Sequence, residues 1–208
     1  MVEEKEVIRD QVNPMKVGHF SEIQGWCDFD HLYDQFVSLI PSNESFVEVG
    51  VWRGRSICSF ASKAKDKNKK IKTYAVDHFL GSPDEGVHSE IITGLKEERN
   101  SSLYEDFQET LQSLGLKDDI QAIQNNSEGA SKEFKDESIF GCFIDAGHTF
   151  EDVTNDLEYW YPKVKRGGFL SGHDYHGWND VQRAVDVFFN DKEKSVSLAP
   201  PVCWFVEK

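Results

Sequence analysis

Short apolar runs alternate with helical patterns along most of this chain, and this alternation limits the folds that it can adopt. Strands that alternate with helices predict a mainly parallel sheet covered by helices on both faces. The runs rich in β-branched and aromatic residues are 46–50, 71–77, 119–124, 139–145 and 167–174. Apolar residues recur at helical spacing in 31–40, 54–65, 103–114, 127–135, 150–164 and 179–190.

The end of the chain departs from this alternation. Runs 195–199 and 202–206 are separated only by two prolines, a connection that permits a hairpin but not a helical crossover. The predicted fold is therefore α/β and Rossmann-like, with a seven-stranded, mainly parallel sheet, helices on both faces and a C-terminal antiparallel hairpin. We expect a single domain over residues 1–208, in which 1–18 form a polar lead-in.

One connection is much longer than a strand–helix unit needs. Residues 78–100 carry glycines, a proline, two histidines and several charges. Loops of this length are uncommon in compact domains unless they are functional, and this one follows a strand, at the sheet edge where α/β proteins bind ligands. We interpret it as a lid or a substrate-facing insertion; the alternative is a surface excursion with its own short helix.

Composition restricts the partners. The formal net charge of −14 argues against sequence-independent binding to nucleic acid or to anionic membranes. The four cysteines form no Cys-x-x-Cys pair, and the first ten residues are rich in charge, which is unlike a signal peptide. No run approaches the roughly 18 apolar residues that cross a membrane. We predict a cytoplasmic protein with a small-molecule partner and no nucleic acid or membrane partner, and a homo-oligomer is compatible with the sequence.

The first strand runs into a glycine loop, Phe46–Ser56, that predicts a nucleotide-type ligand. Gly50 and Gly54 can take backbone conformations closed to other residues. The loop has neither the Gly-Lys-Ser/Thr ending of a phosphate-binding P-loop nor Gly-x-Gly-x-x-Gly. Glu48, at the strand end, can meet an amine or sugar hydroxyls, whereas Ser56 opens a helix whose N-terminus favours a carboxylate. Alone, the loop is equally compatible with an ordinary tight turn.

Polar residues also follow the second and third strands. Asp77 can accept hydrogen bonds from both hydroxyls of a ribose; its alternative role is a helix or turn cap. Asn126 and Ser127 are candidates to bond the exocyclic amine of adenine. Either could equally cap the next helix, and the two roles are compatible.

The fourth and fifth strands deliver acids and imidazoles to the same edge. Asp145 and His148 follow the fourth strand, and His173 and Asp174 follow the fifth. Carboxylates suit magnesium or manganese, and a histidine shifts the preference toward softer transition ions. The alternative is a group of hydrogen-bonded catalytic or structural side chains without a metal.

These segments together resemble a family. FVEVGVWRGRS, AVDHFLGSP, FIDAGHTFEDV and YPKVKRGGFLSGHDY occur in the order seen in class I S-adenosylmethionine (SAM)-dependent methyltransferases, in the small single-domain group of macrocin-type sugar and natural-product O-methyltransferases. The resemblance covers roughly 19–206. It implies that the methionine portion of SAM lies over Gly50 and Gly54, with Glu48 near its amino group.

The same resemblance implies a metal site and a reaction. Asp145 and Asp174 match acidic metal ligands of metal-dependent relatives, and His173 stands where an Asp is usual, so the predicted metal set is Asp145, His173 and Asp174. We expect O-methylation of a small polar acceptor such as a sugar or natural product, with His148 or His173 as base and Asp145 as a further catalytic residue. The alternatives are a non-catalytic SAM-fold binding protein, a Rossmann-type oxidoreductase and a metal-dependent hydroxylase.

Overall fold

The computed structural model describes residues 17–82 and 86–208, and within these it has seven strands and seven α-helices. Residues 1–16 of the predicted lead-in and 83–85 of the predicted insertion lie outside the described part. The elements are α1 (Asp30–Leu39), β1 (Ser45–Val49), α2 (Arg55–Asp66), β2 (Lys72–Asp77), α3 (Gly86–Arg99), α4 (Leu103–Ser113), β3 (Ile120–Gln124), α5 (Ser127–Ser131), β4 (Ile139–Ile144), α6 (Phe150–Trp160), β5 (Val164–Gly172), α7 (Asn179–Asn190), β6 (Ser197–Ala199) and β7 (Cys203–Glu207).

The strands form one sheet in the order β3-β2-β1-β4-β5-β7-β6. Strands β1 to β5 pair in parallel, whereas β7 runs antiparallel to both β5 and β6. The predicted fold class is therefore confirmed, including the C-terminal hairpin. The strand order reverses between β1 and β4, which is where open α/β sheets bind their ligands.

Alternating side chains of the central strands divide the core into two layers. In β1, Phe46 packs in the cluster that holds α1, α2, α3 and α4, whereas Val47 and Val49 pack in the cluster of α5, α6 and α7. All five residues of β1 are buried, as expected for a parallel strand covered on both faces.

Several element boundaries differ from the sequence prediction, among them the end of α6 and the start of β5. Helix α6 ends at Trp160 instead of 164, because Pro162 cannot continue a helix; a short 3₁₀ turn, Tyr161–Lys163, takes its place. Strand β5 begins at Val164, three residues before the predicted run, and its pairing with β4 shifts register between Ile139 and Gly141.

The long connection after β2 contains the 14-residue helix α3. Ile91 and Leu95 of this helix are fully buried in the core, so this part of segment 78–100 is anchored to the domain. Among the described residues, no helix combines the length and apolar character that crossing a bilayer requires.

Candidate functional site

A cavity of about 720 Å³ opens at the carboxyl ends of the five parallel strands. Its walls come from the glycine loop, from the turns after β2, β3, β4 and β5, from α3 and α6, and from the segment before α1. The predicted site residues in its walls are Gly50, Ser56, Asp77, Asn126, Ser127, Asp145, His148, His173 and Asp174.

The two glycines of the loop are required by close packing. Gly50 has φ +85°, and a Cβ there would lie 2.0 Å from the Asp145 carbonyl oxygen. Gly54 has φ +89°, and its Cβ would lie 2.3 Å from the Phe107 ring. Any other residue would push the loop away from the turn after β4 or from α4. The glycines therefore hold the loop against its neighbours, and Gly50 also lines the cavity.

Glu48 lies behind the cavity wall. Its side chain is fully buried, with Tyr33 Oη donating to Oε2 at 2.7 Å and Ser56 Oγ donating to Oε1. Burial raises the pKa of Glu48 to about 8 against the lowering effect of these two hydrogen bonds. The structure thus makes Glu48 the support of Ser56, and Ser56 itself faces the cavity.

Asp77 holds the glycine loop in place. Its Oδ2 accepts hydrogen bonds from the backbone N–H groups of Val51 and Trp52, both at 2.9 Å, and its Oδ1 accepts one from Phe79 N–H at 2.6 Å. The capping alternative is therefore present. A carboxylate offers about four acceptor positions, so Asp77, which lines the cavity, retains capacity for a ligand hydroxyl.

The two polar residues after β3 are engaged in local bonds. Asn126 Oδ1 caps α5 by accepting from Gly129 N–H at 2.7 Å. Ser127 Oγ accepts from Trp160 Nε1–H at 2.8 Å, and the interaction of its hydroxyl with Asp156 lowers the pKa of that carboxyl. Both residues line the cavity, and Asn126 Oδ1 and Ser127 Oγ each accept a hydrogen bond within the protein.

The acidic and imidazole groups after β4 and β5 form one network. His148 Nε2 lies 3.1 Å from Asp174 Oδ2, and His173 Nδ1 lies 3.2 Å from Asp174 Oδ1 and 3.7 Å from Asp145 Oδ1. The other ring nitrogen of His173, Nε2, is 2.9 Å from Oδ1 of Asp28. Asp174 has φ +65°, an unusual backbone conformation for a residue with a Cβ.

Burial and mutual attraction shift the pKa values of this network. Burial raises the pKa of Asp145 to about 6, although the neighbouring histidines oppose the shift. For His173, burial lowers the pKa, but Asp174, Asp145 and Asp28 outweigh it and raise the pKa to about 9. For Asp174, burial raises the pKa, but the bonds from His148 and His173 hold it well below its usual range.

Three of these residues can converge on a metal ion. Asp145, His148 and Asp174 each offer one ligand atom, and these atoms lie within 4.8 Å of one another. Two carboxylates and one imidazole fit a divalent cation such as Mg²⁺, Mn²⁺ or a softer transition ion. This group has His148 as its imidazole, whereas the set predicted from the sequence has His173, which lies 3.2 Å from Asp174 and also contacts Asp28.

The sequence analysis missed several residues that shape the cavity. The Trp52 indole stacks on the His88 ring of α3 with ring centroids 3.6 Å apart, and Trp178 stacks on His148 at 4.6 Å. Trp26, 54% exposed, also lines the cavity. The tryptophans were visible beside the motifs, but a tryptophan suits a core, a pocket or an interface equally. Asp28 carried no local signal.

Comparisons with known proteins show the family and the fold of this chain. The model of a family described as a methyltransferase domain matches residues 47–175. No curated protein matches the chain. The O-methyltransferase NovP is 20% identical with a TM-score of 0.65 over 86% of this chain and 78% of that chain. A Streptococcus mutans protein in complex with SAH is 15% identical, with a TM-score of 0.60 over 89% and 99%.

An rRNA methylase from Streptococcus thermophilus has a TM-score of 0.59 at 15% identity, over 86% of this chain and 94% of that chain. At such identities the solved structures show a shared fold, and the family rests on the sequence match. Because that match spans more than half of the chain, this protein belongs to the methyltransferase-domain family and is a class I SAM-dependent methyltransferase.

Proposed function

We propose that this enzyme methylates a hydroxyl oxygen of a small polar acceptor, with a divalent cation at Asp145, His148 and Asp174. The observation that carries the proposal is that this cluster shares one cavity with the glycine loop and Asp77. SAM supplies a methyl group that its sulfonium has already activated. The protein therefore has to align the acceptor and assist the loss of its proton.

The cluster has the chemistry for that task. A divalent cation bound there would act as a Lewis acid that lowers the pKa of an acceptor hydroxyl. The carboxylates of Asp174, Asp145 and Asp28 outweigh burial and raise the pKa of His173 to about 9. Its ring lies 3.2 Å from Asp174 and 3.7 Å from Asp145, where it can orient both carboxylates.

The charge of the cavity supports an acceptor without phosphate groups. Among the described residues, the side chains in its walls include one arginine, Arg55, against six carboxylates. A phosphate-bearing acceptor would still meet net negative charge, because the carboxylates outnumber Arg55 and a divalent cation with the His173 ring would offset them only in part. Trp26 and Trp178 are both partly exposed in the walls and offer flat apolar surfaces, which suit the ring of a sugar or an aromatic natural product.

The test is methyl transfer from isotope-labelled SAM to neutral glycosides and phenols, compared with nucleotide-linked sugars. We expect turnover with neutral acceptors only. Combining Asp145→Asn with Asp174→Asn should lower the rate about 100-fold or more, because the site loses both carboxylate ligands of the cation that assists loss of the acceptor proton. The matched control is Asp119→Asn. It changes an exposed carboxylate that is distant in sequence from Asp145 and Asp174.

The outcomes of this test distinguish catalysis by the cation from catalysis by His148. Activity lost with a chelator and restored by Mg²⁺ or Mn²⁺ supports the cation, whereas chelator-resistant activity that still requires His148 makes His148 the general base. A normal rate in the double variant would overturn the site. Tight binding of NAD without any response to SAM would overturn the reaction itself.

A further inference from the structure

One buried carboxylate in the cavity wall takes no part in the chemistry above. Asp156 lies on α6 and is only 5% exposed, yet it lines the cavity beside Ser127. Burial raises its pKa to about 6, against the lowering effect of its hydrogen bond with Ser127. Burying a carboxylate costs free energy unless hydrogen-bond donors satisfy its oxygens. We therefore expect a ligand group that donates a hydrogen bond to Asp156.

The hydroxyl that interacts with Asp156 is that of Ser127. Trp160 Nε1–H donates to Ser127 Oγ at 2.8 Å, so the hydroxyl hydrogen of Ser127 is available to donate to Asp156. Among the described residues, no other hydrogen bond to the Asp156 carboxylate is found. Its remaining acceptor capacity therefore opens into the cavity.

Asp156 lies at one end of the cavity, beyond the turn after β3. Asp77 ends β2, and its carbonyl oxygen accepts a hydrogen bond from Asn125 N–H at 3.0 Å, so these two turns are adjacent. The amide oxygens next to them each accept one backbone bond, Asn125 Oδ1 from Asn126 N–H and Asn126 Oδ1 from Gly129 N–H, and neither residue is buried. That leaves Asp156 as the buried acceptor at this end.

We propose that Asp156 recognises the adenine of SAM by accepting a hydrogen bond from its exocyclic amine. The inference rests on SAM binding in this cavity with its ribose toward Asp77, as the family and the glycine loop indicate. It assigns adenine recognition to a residue of α6, whereas the sequence pointed to Asn126 and Ser127.

Asp156 would distinguish a hydrogen-bond donor on the base from an acceptor. A carboxylate is an acceptor only, so it pairs with an amine and repels a carbonyl oxygen at the same position. A buried polar group left without its partner weakens binding about 10- to 100-fold. Replacing the amine of the base by a carbonyl oxygen should therefore weaken binding by that factor.

The experiment is calorimetric binding of S-adenosylhomocysteine and S-inosylhomocysteine, in which the amine is a carbonyl oxygen. The wild-type protein should prefer the adenine compound about 10- to 100-fold. In Asp156→Asn the preference should shrink to about threefold or less, because an amide can present either a donor or an acceptor. Glu158→Gln removes one negative charge from the exposed side of the same helix and should keep the wild-type preference.

Equal binding of both compounds by the wild-type protein would overturn the inference, and this measurement needs no variant. An unchanged preference in an Asp156→Asn protein that unfolds cooperatively on heating would overturn it as well. Failure to bind either compound would instead contradict the cofactor. Loss of O-methylation with an intact preference would contradict only the proposed acceptor chemistry.

Discussion

Some buried residues support the site without lining the cavity, and Glu48 is the clearest case. Its pKa of about 8, against an ordinary value of 4.5, means that the folded protein retains a proton which the unfolded chain releases. Where the folded state binds more protons, stability falls as pH rises. Glu48 should therefore weaken the fold progressively between about pH 4.5 and 8.

Urea unfolding at several pH values checks this prediction. Glu48→Gln should flatten the decline in unfolding free energy over that window, because the amide does not titrate and can still bond Tyr33 and Ser56. Glu133→Gln, at an exposed position, should leave the decline as it is in the wild type. Identical slopes in wild type and Glu48→Gln would show that burial does not hold the proton on Glu48.

At the scale of elements, a buried ion network ties α3 and α4 to the glycine loop. Arg53 Nε lies 2.8 Å from Asp106 Oδ2, and Arg99 Nη1 lies 2.6 Å from Asp106 Oδ1. The three side chains are 5–12% exposed. Removing one member of a buried pair leaves uncompensated charge and costs about 3–5 kcal/mol. We expect a loss of that size for Asp106→Ala, measured by denaturant unfolding.

The matched control is Asp119→Ala. Asp119 pairs with Lys65 at 3.3 Å, but the two side chains are 41% and 59% exposed, so its loss should cost about 1 kcal/mol or less. Because Arg53 belongs to the glycine loop, Asp106→Ala should also weaken binding of S-adenosylhomocysteine. Equal costs for the two variants would mean that the network does not fasten α3 and α4 to the loop.

For the whole molecule, the sequence predicted what depends on local periodicity and on topology rules. Alternating runs gave the parallel strands, and the short proline connection gave the hairpin. Since the carboxyl ends of parallel strands share one sheet edge, Asp77, Asp145 and Asp174 could be assigned to one site. The structure places all three in the same cavity.

The sequence could not predict which side chains that are far apart along the chain come into contact in the fold. Asp28 and His173 are 145 positions apart, and Arg53 and Asp106 are 53 apart. Such pairs depend on how loops pack after the sheet has formed, and they decide which atoms remain available to a ligand. For this reason the sequence did not show that His148 lies with Asp145 and Asp174, or that Asp156 of the predicted helical pattern 150–164 lines the cavity.

The cavity is built from segments between Gly25 and Trp178, so ligand binding should stabilise the whole fold. S-Adenosylhomocysteine at about 100 times its dissociation constant should add about 2.7 kcal/mol, which raises the melting temperature by about 5–10 °C in a domain of this size. Calorimetric melting measures the shift directly. NAD at the same concentration should give none.

Two glycine variants test whether the ligand-induced rise in melting temperature depends on the conformation of the glycine loop. Gly50→Ala would place a Cβ 2.0 Å from the Asp145 carbonyl oxygen, so the loop must move and the ligand-induced shift should disappear. Gly115→Ala bears the same kind of backbone strain, at φ +64°, but its Cβ would meet no atom within 4 Å. It should melt somewhat earlier than the wild type and keep the full shift. A full shift in Gly50→Ala would mean that the ligand binds without the loop geometry seen here.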